Sequence, residues 1–421
     1  MSQYSAKYGI PMVLNGTQDS KQFLKKNIKL NQKDIYQLAI KHFAIEAEGC
    51  SGQEASINNS ITRQLQPTCH QLDELERTVH PDRSNRLRLP SNHHFMRCYQ
   101  CHKLVRNPHP VYLFCCYKCG ELNQKFRHFS RPLKQHNALV TGGRTKLGHQ
   151  IALKLLRAQC HRVVVTTRNT QAARAMFSKY DDYDRWRDNL ILAELDLDTE
   201  DIRAKSEALA DTLFTQHKIK VLDILINCAA QTIRARDKAG LYASGDSPQS
   251  EETNRYGDPK FVDHTFTNSW HVRLTDFQQQ ESEECYRINA VAPVILIQTF
   301  LPLLKKSRVS PYIINVHARE GIFKTRKEDL HIQTNMAKAA LHMLTKCLAR
   351  KSDLMTESGQ RFAVHGCDPG WFSVDEYYKN DRPWVVPPLD EIDGAARILF
   401  PLFAKIAGCS PTRRHFYQLT Y

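Results

Sequence analysis

The chain has 421 residues, with 59 Lys and Arg against 44 Asp and Glu, a formal net charge of +15 and 41% hydrophobic content. That length exceeds the roughly 100–200 residues of one ordinary domain, and the apolar fraction excludes disorder from end to end. The positive balance points to anionic partners such as nucleotide phosphates, nucleic acid or an acidic surface, or else to a solvated basic exterior.

The first residues, MSQYSAKYGIPMVLNGTQDSKQ, lack a basic start followed by an apolar run, and Asp19 is out of place in a transit peptide. The longest apolar stretch, Ala290 to Leu304, is interrupted by Pro293, Gln298 and Thr299. It falls short of the roughly 20 residues that span a bilayer. The expectation is a soluble chain, cytoplasmic or nuclear, with no membrane partner. Residues 1–97 read as a polar extension, with an amphipathic helix predicted over Gln32–Glu48 where Ile35, Leu38, Ala39, His42 and Phe43 recur at helical spacing. The Ser-, Asn- and Gln-rich stretch that follows reads as a linker.

Residues 98–135 read as a separate module. The cysteine count of 13 is odd, and Cys98-x2-Cys101 with Cys116-x2-Cys119 forms two knuckle-like pairs, the arrangement that encloses zinc tetrahedrally in zinc ribbons. A four-thiolate site leaves no open position, so the expected zinc is structural. Cys115 is an alternative fourth ligand. Arg97, Lys103, Arg106, Lys118, Lys125, Arg127, Arg131 and Lys134 surround these cysteines, interleaved with Tyr99, Tyr112, Phe114, Tyr117 and Phe126. Such a surface could hold phosphates and stack bases of a nucleic acid, bind a protein, or pack onto the rest of the chain. Cys160, Cys347 and Cys367 lie in apolar segments and read as small buried hydrophobes.

From His136 the texture changes to short β-branched and aliphatic runs separated by amphipathic segments: 137–142, 162–167, 190–196, 221–227, 312–317 and 362–368. HFYQLTY at the C-terminus could add a last strand. Buried strands alternating with helices predict an α/β domain over 136–421, a Rossmann-type, doubly wound parallel sheet with helices on both faces. ALVTGGRTKLGHQIALKLLRAQ reads as strand, glycine turn and helix, with Gly142 and Gly148 letting the backbone and the helix N-terminus approach a pyrophosphate. The second strand ends in Thr166-Thr167-Arg168, where an NAD-preferring fold presents a carboxylate to the ribose. Arg168, with Arg144 in the glycine turn, could instead neutralise the 2′-phosphate of NADP.

Thr141 to Gly148, Leu195-Asp196-Leu197, Asn227 to Ala230, Asn289, Lys338 and Pro369-Gly370 follow one another in the order found in short-chain dehydrogenases/reductases, and the chain resembles that family over about 137–421. The resemblance implies an NADP(H) site with contacts from Gly142, Arg144, Leu147, Gly148, Arg168, Asp196, Leu197, Asn227, Ala229, Lys338, Pro369 and Gly370. It also implies hydride transfer to or from a carbonyl or alcohol. The family's tyrosine lies four residues before its lysine, on one helical face. Here Thr334 stands in that place before Lys338, and Ala318, or His317 under a one-residue shift, stands where the family has serine.

A threonine hydroxyl does not ionise near neutral pH as a phenol beside a cation can. Asn289, Lys338, Thr334 and His317 are therefore the candidate catalytic set, with His331, Tyr312 and Tyr377 as further proton donors. The alternative is a catalytically silent NADP-binding scaffold or sensor, associated with nucleic acid through the basic module. The insertion over 231–280, with Arg234, Arg236, Trp270 and Arg273, suggests an aromatic and cationic lining for a small, anionic substrate, and the aromatic segment from Trp371 to Trp384 reads as a second lid. A homo-oligomer is compatible with all of these features.

Overall fold

A computed structural model describes residues 96–105, 107–231, 256, 269–270, 272–325, 327–350, 354–372 and 387–408. The helix predicted over 32–48, the linker, Arg106, Arg234, Arg236, Tyr377 and the terminal HFYQLTY lie outside these residues. The chain divides into two compact units, one holding Val13–Phe129 and the other Ser130–Tyr421 with the first twelve residues.

Among its described residues the smaller unit has two short antiparallel strands, β1 (Met96–Arg97) and β2 (Leu104–Val105), and one helix, α1 (Tyr117–His128). His109 serves as its plug. The imidazole is 1% exposed, its Nδ1 accepts hydrogen bonds from the Val111 and Tyr112 amides at 3.1 Å, and its Nε2 lies 3.2 Å from Glu121 Oε1. Two accepted amides fix the proton on Nε2, which donates to Glu121. Gly120 makes room for the ring, because a Cβ there would come within 2.2 Å of His109 Cγ.

The larger unit is built on six parallel strands: β3 (Asn137–Thr141), β4 (Arg162–Thr167), β5 (Leu190–Glu194), β6 (Ile224–Asn227), β7 (Tyr312–Val316) and β8 (Ala363–Cys367). Their order across the sheet is β5-β4-β3-β6-β7-β8, so the winding reverses between β3 and β6. The Rossmann-type expectation holds. Each predicted run contains its strand, and the runs overshoot where polar groups leave the ladder. Asp223 precedes β6 because its carboxylate accepts from the Asn137 amide at 2.8 Å and from the Ser307 hydroxyl at 2.6 Å, which pins the strand's entrance.

The connecting helices are α2 (Lys146–Arg157), α3 (Thr170–Phe177), α4 (Ile202–Thr215), α5 (Gln279–Tyr286), α6 (Ala292–Lys305), α7 (Ile332–Arg350) and α8 (Glu391–Ile406). Leu139, Val164, Leu225 and Ile313 point from alternate strand positions into one apolar core with Leu209 and Leu213 of α4 and Leu296 and Phe300 of α6. That period-two alternation, met by helices at period 3.6, sets the layer spacing. Asn169 caps α3 through a 2.8 Å bond from the Ala172 amide. Asp390 and Asp393 form a reciprocal capping box on α8.

Between α5 and α6 the helix loosens into one π turn, Arg287–Val291. The combined span Gln279–Lys305 is the one helix, among the described residues, long and apolar enough to cross a membrane, and 56% of its apolar window is buried inside the protein. Burial of that kind marks a core helix.

Candidate functional site

In an open parallel sheet, ligands sit in the crevice at the strand C-termini where the winding reverses. Here that crevice lies between the ends of β3 and β6. Thr141, the last residue of β3, accepts hydrogen bonds on its hydroxyl from the Cys228 and Ala229 amides, both at 3.0 Å, and so ties the turn after β6 to the glycine turn. Gly142 has φ +68°, and a Cβ on it would lie 2.8 Å from Ala229 Cα. A Cβ on Gly148 would lie 2.3 Å from the Gly142 carbonyl oxygen. The first turn of α2 is thus pressed against the end of β3, with its free N–H groups and positive dipole end aimed along the crevice and no acidic side chain to oppose an anion.

Arg144 lies in this turn and donates to the Tyr256 carbonyl at 3.5 Å, while Arg168 is exposed at the end of β4 with no carboxylate after it. Leu147 is buried in α2. Asp196 turns back on its own loop, its carboxylate accepting from the Asp198 amide at 3.0 Å. Leu197 packs in the apolar core, so any contact it offers a cofactor comes from its backbone. Asn227 donates to Asn315 at 2.8 Å. Gly370 has φ +82°, and its amide donates to Asp368 at 2.7 Å, closing the turn that follows Pro369. These groups fit a dinucleotide: a tight glycine turn, a helix N-terminus for the pyrophosphate, and arginines in place of the ribose-binding carboxylate.

The expected reaction centre separates into three groups. Lys338 is buried and its ammonium donates to the Val316 carbonyl at 3.0 Å. Burial lowers its pKa, opposed by the Cys228 and Cys285 sulfurs and by Glu320 and Asp368. Asn289 sits in the π turn with both ends of its amide engaged on one backbone residue. Its Nδ2 donates to the Gln231 carbonyl at 2.7 Å and its Oδ1 accepts from the Gln231 amide at 2.8 Å. Thr334, one turn before Lys338, is 2% exposed and lies 4.0 Å from the Cys285 sulfur.

His317 does not join them. Its Nε2 lies 2.8 Å from the Thr345 hydroxyl and its ring stacks on His342 with centroids 3.9 Å apart. Thr345 is eleven residues beyond Thr334 on α7, about 16 Å along the axis at 1.5 Å per residue, which takes the imidazole out of hydrogen-bond reach of Thr334. Burial holds its pKa well below the ordinary value, so it stays uncharged near neutrality. Tyr312 is misplaced as well. It opens β7, at the sheet edge opposite the strand C-termini, and burial raises its pKa. His331, at φ +41°, stacks on Trp270 at 4.1 Å and uses Nδ1 on the Trp270 carbonyl at 3.1 Å. It serves as a clasp for the returning insertion.

Two further residues at this centre are not indicated by any sequence motif. Cys285 lies one helical turn before Asn289, whose Nδ2 donates to its sulfur at 3.1 Å. Gln333 is 3% exposed, donates through Nε2 to the Ser269 carbonyl at 2.9 Å, and leaves its Oε1 without a hydrogen bond. A small cleft between α5 and α7 is lined by Gln231, Cys285, Gln333 and Thr334, together with Ser269, Glu281 and Glu284. The spacing of Cys285 from Asn289, i and i+4 on one helix, was the available clue.

A third missed residue is Tyr256. It is 2% exposed, its hydroxyl donates to Glu391 at 2.6 Å and accepts from Gln150 at 3.1 Å, and its carbonyl receives Arg144.

In the smaller unit the Cys98, Cys101, Cys116 and Cys119 sulfurs lie within 4.8 Å of one another, with Cys101 and Cys116 at 3.6 Å. Four thiolates at about 2.3 Å from a tetrahedral zinc stand about 3.8 Å apart, so the set fits such an ion. Cys98 ends the short strand pair, whereas Cys116 caps α1 and Cys119 lies in its first turn, where the helix dipole favours thiolate. Cys115 is outside that set. It lies against Cys98 and accepts from Asn123 at 3.7 Å, so the fourth place falls to Cys116.

A family model described as short chain dehydrogenase matches residues 136–244. The uncharacterized protein R665 of Acanthamoeba polyphaga mimivirus is 35% identical over 335 residues, which cover 73% of this chain and 71% of that protein. Similar solved structures include the carbonyl reductase Sniffer of D. melanogaster, 20% identical with TM-score 0.46, covering 64% of this chain and 91% of the other. NADPH-bound carbonyl reductase from chicken fatty liver is 23% identical with TM-score 0.41, covering 58% and 81% respectively. The glycine turn at the reversal of a six-stranded parallel sheet and the matched segment agree: this chain belongs to the short-chain dehydrogenase/reductase family.

Proposed function

We propose that the protein is an NADP(H)-dependent oxidoreductase acting on a small carbonyl or alcohol substrate, with a proton donor other than the phenol its family uses. The observation that carries the reading is the crevice itself. Gly142 and Gly148 bring the α2 N-terminus against the end of β3, and Arg168 stands exposed where a carboxylate would select NAD. The bound cofactor would supply hydride at its nicotinamide ring. The chain's own part is to hold the pyrophosphate at Gly142–Gly148, to place cationic groups at the 2′-phosphate, and to keep Lys338 beside the reacting end.

NADPH and NADH titrations of the full chain by nicotinamide fluorescence test the reading. NADPH should bind at least ten-fold more tightly, and Arg168→Asp should erase the difference. Equal affinities for the two cofactors in the unaltered protein would refute the NADP assignment. Turnover of NADPH with a panel of ketones and aldehydes tests the chemistry.

A second reading, a binding protein or sensor without turnover, is favoured by one observation, the short hydroxyl of Thr334 in the phenol's place. Tight NADPH binding with no consumption across the panel would establish it. In either case the Cys98, Cys101, Cys116 and Cys119 thiolates would hold one structural zinc ion, tying β1 to the start of α1.

A further inference from the structure

The loss of the phenol leaves a specific gap, and the residues around it suggest what fills it. The cleft between α5 and α7 opens on Thr334, and 4.0 Å from that hydroxyl stands a group with a transferable proton, the Cys285 thiol, 3% exposed. The thiol is set up from three sides. The Gln231 carbonyl lies 3.7 Å from the sulfur and orients the S–H, and Asn289 Nδ2 donates to the sulfur at 3.1 Å. The Lys338 ammonium acts electrostatically on it. Burial pushes the thiol's pKa up and keeps the proton on the sulfur at rest, while the last two favour the thiolate that would remain once a proton has left.

Independent of these contacts, the same cleft holds an unsatisfied group. Gln333 is 3% exposed and its Oε1 accepts no hydrogen bond. A buried amide oxygen without a donor is unfavourable, and a ligand that brings an O–H or N–H to it would relieve that cost.

We propose that Cys285 is the catalytic proton donor of this centre and that its substrate is a carbonyl compound bearing a neighbouring hydroxyl or N–H, which Gln333 Oε1 accepts. The assignment rests on the oxidoreductase reading. The reduced nicotinamide, when bound, would supply the hydride for the new C–H bond at the carbonyl carbon. The C=O π pair becomes the O–H bond by taking the thiol proton, and the sulfur keeps the S–H pair as thiolate beside Lys338, to be reprotonated by water. Thr334 contributes a hydrogen bond to the same oxygen. In the oxidative direction the thiolate takes the alcohol proton.

The test uses the full chain with NADPH, a hydroxyketone (hydroxyacetone) and its deoxy analogue (acetone), and two readouts. The first is turnover against pH for the unaltered protein, Cys285→Ala and Cys285→Ser, with folding checked by thermal unfolding and NADPH affinity measured alongside. Removal of a general acid costs about 100-fold or more. Cys285→Ala should lose turnover on that scale while NADPH affinity stays within two-fold, and Cys285→Ser should move the basic limb of the profile. Gln333→Leu should raise KM for hydroxyacetone and leave that for acetone unchanged.

The second readout is the rate of Cys285 alkylation by iodoacetamide, followed by peptide mass spectrometry, which needs no turnover. Hydroxyacetone should protect the thiol more than acetone does. Turnover and pH profile unmoved in Cys285→Ala would overturn the proton-donor assignment while leaving the oxidoreductase reading intact. Absence of turnover in the unaltered protein, with NADPH bound, would overturn the reading and the donor with it. In that case protection by hydroxyacetone would still support the cleft as a ligand site, and equal alkylation with and without it would overturn that too.

Discussion

Replacement of Gly148 by alanine isolates the feature on which nucleotide binding depends. The added Cβ would stand 2.3 Å from the Gly142 carbonyl oxygen, 2.9 Å from its carbonyl carbon and 3.1 Å from Gly143 Cα, all backbone atoms of the turn itself. A carbon and an oxygen not bonded to each other need about 3.3 Å, close to the 3.5–4.0 Å optimum of carbon pairs, so the turn must retreat from α2 by about 1 Å. Nothing flexible is available to give way.

A shift of that size breaks the alignment of one or two amides on the pyrophosphate. Each charge-assisted hydrogen bond is worth about 1.5–3 kcal/mol, so the loss of one weakens NADPH binding by about 10- to 150-fold. The helix responds in the opposite sense, since alanine is favoured over glycine by about 1 kcal/mol, which offsets part of the packing strain. Fluorescence titration with NADPH should therefore show a large affinity loss, while thermal unfolding of the nucleotide-free protein moves by only a few degrees. NADPH affinity within two-fold of the unaltered protein would refute the placement of the cofactor on this turn.

Asn289→Ala should remove the two hydrogen bonds that its amide makes to the Gln231 backbone, at about 0.5–1.5 kcal/mol for each bond, and urea unfolding should record the loss. Asn289→Asp should also destabilise, because a second carboxylate oxygen would face the Gln231 carbonyl across the 2.7 Å now bridged by an N–H. Metal analysis of freshly reduced protein should find one zinc per chain in the unaltered protein and in Cys115→Ser, and less than half that in Cys101→Ser or Cys116→Ser. Burial lowers the pKa of His342 from 6.5 to about 3, so in the folded state it stays neutral where the unfolded chain already binds a proton. Its contribution to stability is present above pH 6.5 and is lost as the pH falls towards 3, by up to about 1.4 kcal/mol per pH unit. His342→Phe keeps a ring against His317 and should flatten the fall in melting temperature across that window.

The central strands were legible because they carry the aliphatic run of a strand buried on both faces, as RVVVTT does in β4, whereas β8, with His365 and Gly366 in its run, is only partly buried. The glycine turn was legible because conformation as well as packing demands Gly142. The reaction centre was harder to read. Lys338 and Thr334 are set by one helix, and periodicity places them together. Cys285 meets Thr334 across 49 positions of chain, a contact that no local pattern encodes. His317 was misjudged for a related reason. Its position at the end of β7 suggested an active-site residue, but the bare Gly366 opposite leaves space beneath the strand, and the ring fills it, with Gly366's missing Cβ only 1.9 Å from His317 Cε1. Tyr256 lies in a polar insertion, where hydropathy offers no period to follow.

The side-chain clamps at the two ends of that insertion affect how the fold can vary. The chain leaves the sheet at Gln231, where the Asn289 amide mimics a neighbouring strand, and it returns at Ser269 and Trp270, held by Gln333 and His331. Exit and re-entry are thus fixed by helices that belong to the scaffold, independently of the residues between them. Loop length adds only a slowly growing entropic cost, so this region could lengthen, shorten or change composition without disturbing β6 or α7. Apart from Tyr256, which engages Arg144 and Gln150 beside the dinucleotide site, the insertion is a place where substrate preference can evolve while that site stays constant.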